Sequence, residues 1–251
     1  MDLSDAIRSR KPALVPFIAG GFPSVDVLPE TIRQVTEAGA AAIEIGIPFS
    51  DPIADGPTIQ SAYTEALAAG ATVEKVLAAV ATVEPAVPRI AMVSHSVVYR
   101  HGVAQFCARL KDAGVTGLLV PDLPLGEAES VCTVVRDAGL DTVLLVAPTT
   151  PADRREKITA LATGFVYYLS VAGVTGARSH LPEDLARNVE QLKRMTDTPV
   201  CVGFGIGNAE QVTAVNEVAD GAIVGSALVK AMSGTADPAT AAGAFVRDLL
   251  S

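Results

Sequence analysis

Residues 44 to 57, Glu-Ile-Gly-Ile-Pro-Phe-Ser-Asp-Pro-Ile-Ala-Asp-Gly-Pro, place one carboxylate inside an apolar run and two more on the loop that follows. Glu44 lies between Ile43 and Ile45. Strand alternation turns both isoleucines to the face opposite its own, and a carboxylate at that depth is costly unless it is neutral or paired. Burial raises the pKa of such a group. Asp55, beside Gly56 on a loop, is expected to remain an ordinary ionised acid. Two carboxyl groups in unlike surroundings suit acid–base chemistry, one delivering a proton while the other holds a positive charge or accepts a hydrogen bond. The competing reading is a structural ion pair at a strand end, which perturbs pKa values equally well.

The elements that position these residues follow one recurring phrase, a helical stretch ending in Ala-Gly or a similar pair and then a short aliphatic run. It occurs at Ala38-Gly39 before 41–45, Ala113-Gly114 before 117–120, Ala138-Gly139 before 142–146, Thr163-Gly164 before 165–169 and Asp220-Gly221 before 222–224. The glycine is expected to supply the left-handed cap that ends a helix. With 14–18, 90–93 and 199–202 the count of strands reaches eight. Their near-continuous apolar character argues for a parallel sheet covered on both faces. Amphipathic stretches at 25–37, 73–83, 103–111, 128–136 and 185–195 alternate with them. Eight such units close most simply as a (β/α)8 TIM barrel in one domain over residues 1–251. An open doubly wound sheet is the alternative, against which stands the lack of an early G-x-G-x-x-G helix start. An extra helix is expected at 59–69, after the second strand, and a last outer helix at 238–249.

In a barrel the loops after the strands share one face, which carries the site. Gly176 lies in a loop of small residues, 172–177, after the sixth strand. Gly203-Phe204-Gly205-Ile206 follows the seventh, with glycines that let backbone N–H groups approach an anion. Gly225-Ser226 ends the eighth strand and opens a short helix whose first N–H groups and dipole face the same place. One glycine-rich loop is usually only a tight turn. Three at the ends of successive strands point to a phosphate site at loops 7–8, formed by Gly176, Gly205, Gly225 and Ser226.

Composition excludes several classes. The 251 residues are 49% hydrophobic, enough for a well-buried core, and 19 Lys plus Arg against 28 Asp plus Glu give a net charge of −9. No basic cluster offers a surface for nucleic acid or an anionic membrane. Cys107, Cys132 and Cys201 lie far apart without C-x-x-C spacing, and His95, His101 and His180 show no paired spacing, so neither a disulfide framework nor a metal site is expected. The first residues lack the pattern of a signal peptide and no apolar run is long enough to span a bilayer. A cytoplasmic protein is expected.

The run from Glu44 to Pro57 resembles the P-F-S-D-P-x-A-D-G-P motif of the tryptophan synthase alpha-subunit family. The resemblance extends over nearly the whole chain, through Pro16-Phe17, Gly173-Val174-Thr175-Gly176, Gly203 to Ile206 and Gly225 to Lys230. It implies a lyase that splits indole-3-glycerol phosphate into indole and glyceraldehyde 3-phosphate by a retro-aldol reaction, in tryptophan biosynthesis. It implies no cofactor in this subunit, and a beta subunit that holds pyridoxal phosphate and joins it in an α2β2 heterotetramer. By position in the motif Glu44 matches the general acid–base residue and Asp55 the acid that contacts the indole N–H. Thr175 is similar to a loop threonine that closes on the acidic loop, and Tyr167 to a strand-six tyrosine lining the site. Phe17, Met92, Leu119 and Phe204 stand, by resemblance and by strand-end position, as apolar walls for indole, with core packing as the competing reading.

Two departures stand out. Gly20-Gly21-Phe22-Pro23 replaces the usual Gly-Asp-Pro turn after the first strand, and Ser94-His95-Ser96 replaces a Tyr-x-Asn pattern after the third. Both bear on subunit docking and loop gating rather than on the chemistry. The segment before Pro16 is short, so the leading helix is reduced. Prolines 48, 52 and 57 stiffen the acidic loop, and with exposed Asp51 they suit coupling of partner docking to catalysis. The alternatives are a stand-alone indole-releasing lyase, a catalytically quiet regulatory barrel subunit, and another phosphate-binding barrel; the last does not require the strand-end glutamate and acidic proline loop.

Overall fold

The structure, a computed structural model, describes residues 2–53, 55–170, 184–203 and 205–251. The described residues form eight strands: β1 (Leu14–Ala19), β2 (Ile43–Gly46), β3 (Arg89–Met92), β4 (Gly117–Leu119), β5 (Asp141–Val146), β6 (Phe165–Leu169), β7 (Val200–Gly203) and β8 (Gly221–Val224). Each pairs in parallel with the next, and β8 pairs with β1 through Leu14–Ala222, Val15–Ile223 and Pro16–Val224, closing the barrel. Alternation sorts their side chains into two apolar layers. Ile18, Ile43, Ile45, Leu118 and Val202 pack outward against the helices. Val15, Ile90, Leu119, Val143, Phe165 and Cys201 fill the interior. All three cysteines are buried and free.

The glycines that precede the strands divide into two kinds. Gly39, Gly114 and Gly139 have φ of +109°, +73° and +76° and end their helices in the left-handed conformation, as expected. Gly164 and Gly221 do not have positive φ, which corrects the reading of all five as left-handed caps. Their small size serves close approach instead. A Cβ on Gly164 would lie 2.5 Å from the Leu3 side chain, and one on Gly221 would lie 3.1 Å from Cys201 Sγ.

Leu3 reaches that point because the leading helix, Leu3–Arg8, is tucked under the barrel. Asp2 caps it through the Ser4 N–H, and Ser4 Oγ donates to the Gly164 carbonyl at 2.9 Å. Leu3 and Ile7, one turn apart, join the interior cluster and close the bottom of the barrel. Complete burial of each contributes on the order of 1.5–3 kcal/mol.

The expected extra helix runs Pro57–Ala68 and the last outer helix Pro238–Leu249. The stretch at 25–37 splits into a 3₁₀ turn, Val25–Val27, and a helix, Leu28–Glu37, with Pro29 in its first turn where a missing N–H costs nothing. Helices at His95–His101, Ala152–Leu161 and Ala209–Val218 carry weaker patterns: the first buries only Val98 and the second only Thr159. Among the described residues no helix is long and apolar enough to cross a membrane.

Candidate active site at the C-terminal mouth of the barrel

Glu44 is in register with Phe17 on β1 and Ile90 on β3, and its side chain is only 1% exposed. Burial pushes its carboxyl up to about 8, and the nearby charge of Asp55 adds to the rise. Among the described residues its Oε2 has no hydrogen-bond partner. No ion pair involves it among them either, which removes the structural ion pair as an account of this acid. A glutamate held protonated at neutral pH is the form that donates a proton.

The chain leaves β2 through Gly46 into the acidic loop, whose geometry is set locally. Ile53 N–H donates to the Asp51 carbonyl and Asp55 N–H to the Pro52 carbonyl, at 2.9 and 3.0 Å. Gln60, in the first turn of the helix Pro57–Ala68, ties the loop down by donating from Nε2 to the Asp55 carbonyl at 2.7 Å. Pro57 at the start of that helix fixes φ where no intrahelical N–H bond is required. Asp55 is thereby held on the wall of an open cleft, together with Phe49, Ile53, Tyr63, Met92, Ser94 and Asp122.

Asp55 departs from the ordinary ionised acid read from its position. Its carboxyl is pushed up to about 6, first by partial burial and then by the charge of Asp122 across the cleft. Asp122 arrives from the loop after β4, a long-range neighbour invisible to local sequence. Its carboxylate accepts from Ser94 Oγ at 2.8 Å and from the His95 N–H at 2.7 Å, so it also fixes the turn after β3. The Ser94-His95-Ser96 departure is therefore a joint between two loops. His95 Nε2 further approaches Glu127 Oε2 at 3.3 Å.

The apolar residues expected around indole occupy two levels. Met92 lines the cleft. Phe17 and Leu119 are buried in the barrel below it. Tyr167, on β6, faces the interior clusters; its hydroxyl is raised well above its usual range by burial, with Glu44 and then Asp55 as the neighbouring charges. Phe22, at the position of the departed Gly-Asp-Pro turn, is buried in the core, and its N–H closes a turn on the Ala19 carbonyl at 3.0 Å. Thus a ring stands where the family pattern has a charge.

On the other side of the mouth, Gly205 has φ +77°, and a Cβ there would meet no atom within 4 Å. Gly225 caps the short helix Ser226–Met232, whose first N–H groups have no side-chain cap among the described residues. Gly225 also lies against Phe17, to which a Cβ would come within 3.5 Å. Thr175, Gly176 and Phe204 lie outside the described residues. Tyr63 and Asp122 escaped the sequence reading. The signals were present: Tyr63 shares the stripe Ile59, Ala62, Tyr63, Ala66 on the helix after the acidic loop, and Asp122 stands between Pro121 and Leu123-Pro124 just past a strand end. Among the described residues no group of three or more His, Cys, Asp or Glu is placed to hold a metal ion.

A buried glutamate with a raised pKa, inside a closed parallel barrel of the kind whose strand-end face carries the site in characterised enzymes, marks this chain as one of the barrel enzymes. The family model for the tryptophan synthase alpha chain matches residues 3–246, and the chain belongs to that family. The tryptophan synthase alpha chain of Rhodopirellula baltica is 42% identical over 248 residues, 96% of this chain and 89% of that one. That of Prochlorococcus marinus is 45% identical, covering 94% and 88%. Among solved structures, an Aquifex aeolicus protein superposes with a TM-score of 0.89 at 35% identity, covering 99% of this chain and 98% of its own. A tryptophan synthase from M. tuberculosis gives 0.89 at 32% identity, covering 98% and 96%, and a tryptophan synthase complex from Pyrococcus furiosus 0.86 at 36%, covering 95% and 97%. The chain is a lyase of the alpha reaction in tryptophan biosynthesis.

Proposed function

We propose that Glu44 and Asp55 divide the acid–base work of cleaving indole-3-glycerol phosphate into indole and glyceraldehyde 3-phosphate. The reaction needs a proton on the ring carbon that bears the glycerol chain, giving a tautomer able to accept the electrons of the breaking carbon–carbon bond. It also needs removal of a proton from the adjacent glycerol hydroxyl. Glu44 donates the first proton as a neutral acid and, as the resulting carboxylate, takes the second. Asp55 accepts a hydrogen bond from the indole N–H as the ring becomes cationic. The observation that carries this reading is the pair of raised pKa values, about 8 for Glu44 and about 6 for Asp55. Between those values Glu44 holds its proton while Asp55 is ionised, the combination the reaction requires.

In this reading Phe17, Met92, Leu119, Tyr167 and Phe204 enclose the ring, and Thr175 closes the loop after β6 on the acidic loop. Gly176, Gly205, Gly225 and Ser226 hold the phosphate. The uncapped N–H groups of the helix Ser226–Met232 support this placement in a chain whose net charge of −9 otherwise repels an anion. No cofactor takes part in these steps. The partner is a beta subunit that carries pyridoxal phosphate, in an α2β2 assembly. Ile53 and Tyr99, 79% and 74% exposed, are large apolar residues that a partner would cover.

The test is quantitation of indole and glyceraldehyde 3-phosphate from indole-3-glycerol phosphate with the purified chain, alone and with its cognate beta subunit. Equal amounts of both products, formed faster with the partner, are expected. Absence of indole under both conditions contradicts the proposal, and an unchanged rate at saturating partner removes the coupling.

A further inference from the structure

Near Glu44, the helix after the acidic loop brings in a buried hydroxyl that the steps above do not use. Tyr63 projects from the helix Pro57–Ala68 toward β2 and is only 2% exposed. Its hydroxyl sits where a side chain on Gly46 would begin: a Cβ built on Gly46 would meet it at 2.0 Å and would meet the Phe17 ring at 2.6 Å. Glycine at position 46 is thus what admits the tyrosine. The ring is braced edge-on against Phe17 with centroids 6.4 Å apart.

Glu44 and Gly46 are two residues apart on one strand, so their Cβ directions share a face and are separated by about 6.6 Å at 3.3 Å per residue. The Tyr63 hydroxyl occupies the Gly46 end of that interval, and the Glu44 side chain is rooted at the other. Among the described residues, Glu44 Oε2 and the Tyr63 hydroxyl are both buried and without hydrogen-bond partners. Buried polar atoms are rarely left so, and two facing one small volume point to a bond made in only one state of the site. The charges felt by Tyr63 are those of Asp55 and Glu44, which confirms the neighbourhood.

We infer that Tyr63 is a positioning residue for Glu44, its hydroxyl donating a hydrogen bond to the Glu44 carboxylate once the proton has left for the substrate ring. This deepens the proposed function and rests on it. The step balances: the proton moves from the Glu44 carboxyl to the ring carbon, Tyr63 keeps its own proton, and the new anion gains a donor where it would otherwise stand uncompensated in an apolar setting. When Glu44 takes the glycerol hydroxyl proton, the bond weakens again. Besides Tyr63, the titratable groups facing Glu44 are Asp55 from the acidic loop, Tyr167 from β6 and Cys201 from β7. Among the described residues no cation shares that space, so hydroxyl donors are what the site has to offer an anion.

The test is Tyr63→Phe, which keeps the ring against Phe17 and removes only the hydroxyl. A charge-assisted hydrogen bond of this kind predicts a ten- to hundred-fold fall in single-turnover kcat with KM little changed. The alkaline limb of the pH–rate profile is expected to move up, because the carboxylate loses a donor that favoured it. In a Glu44→Gln background, Tyr63→Phe is expected to cause no further loss, whereas a purely structural role would lower both backgrounds equally. Unchanged kcat and pH profile in Tyr63→Phe, with wild type active, overturns this inference and leaves the proposed function standing. Inactive wild type overturns the proposed function itself. Melting temperature and circular dichroism of the variant verify the fold, which is expected to be at least as stable because an orphaned hydroxyl has been removed.

Discussion

Replacing Glu44 by glutamine should abolish a catalyst and, at alkaline pH, stabilise the fold. The carboxyl is neutral in both folded and unfolded chains below its ordinary value of 4.5, so it contributes no penalty there. Between 4.5 and about 8 the folded chain retains a proton that the unfolded chain has released, so stability falls as pH rises, by about 1.36 kcal/mol per unit. The accumulated loss is about 3 kcal/mol at pH 7 and levels at about 5 kcal/mol above pH 8. Glutamine carries no charge and escapes this slope. Its amide inherits the unpartnered surroundings of Oε2 and costs about 1–3 kcal/mol at every pH. The variant should therefore be equal to or less stable than wild type at pH 5 and more stable at pH 9, with the difference between the two proteins changing by about 4 kcal/mol over that interval. Urea unfolding followed by far-ultraviolet circular dichroism at pH 5, 7 and 9 measures it. A stability difference that stays constant across those pH values would show that Glu44 titrates as an exposed acid does, and would remove the neutral proton donor from the site.

The same two groups set the pH dependence of the reaction. Activity should follow a bell with limbs near 6, where Asp55 ionises, and near 8, where Glu44 loses its proton; a profile flat from pH 5 to 9 would count against both assignments. Asp122→Asn removes the charge that helps raise Asp55, so the acid limb of kcat/KM should move down while the alkaline limb stays in place. Gly46→Ala should destabilise the fold by about 1–3 kcal/mol in chemical denaturation, because the added methyl collides with both the Tyr63 hydroxyl and the Phe17 ring.

Most of the barrel was legible in the sequence because its strands are buried on both faces and punctuated by glycine. The strand spans at 117–120, 142–146 and 165–169 lie within a residue of β4, β5 and β6. Other features resisted for physical reasons. The helix His95–His101 buries one residue, Val98, and so lacks an apolar stripe at helical spacing. Gly164 and Gly221 resemble helix-ending glycines locally, yet their requirement comes from Leu3 and Cys201, which approach from elsewhere in the chain. At the site, the burial of Glu44 followed from its two isoleucine neighbours. The raised pKa of Asp55 did not, since beside burial its cause is Asp122, far along the chain and brought near only by barrel closure. Tyr63 was concealed for a similar reason: a tyrosine on an alanine-rich helix face reads as core until the side-chain-free position at Gly46 is set beneath it.

Single-turnover cleavage of indole-3-glycerol phosphate by Glu44→Gln tests the central claim most directly. General acid–base catalysis by this one carboxyl predicts a rate lower by about 10²- to 10⁴-fold than wild type, with the substrate still bound. A fall of less than about tenfold, in a variant that folds and binds as wild type does, would contradict the assignment of the proton transfer to Glu44.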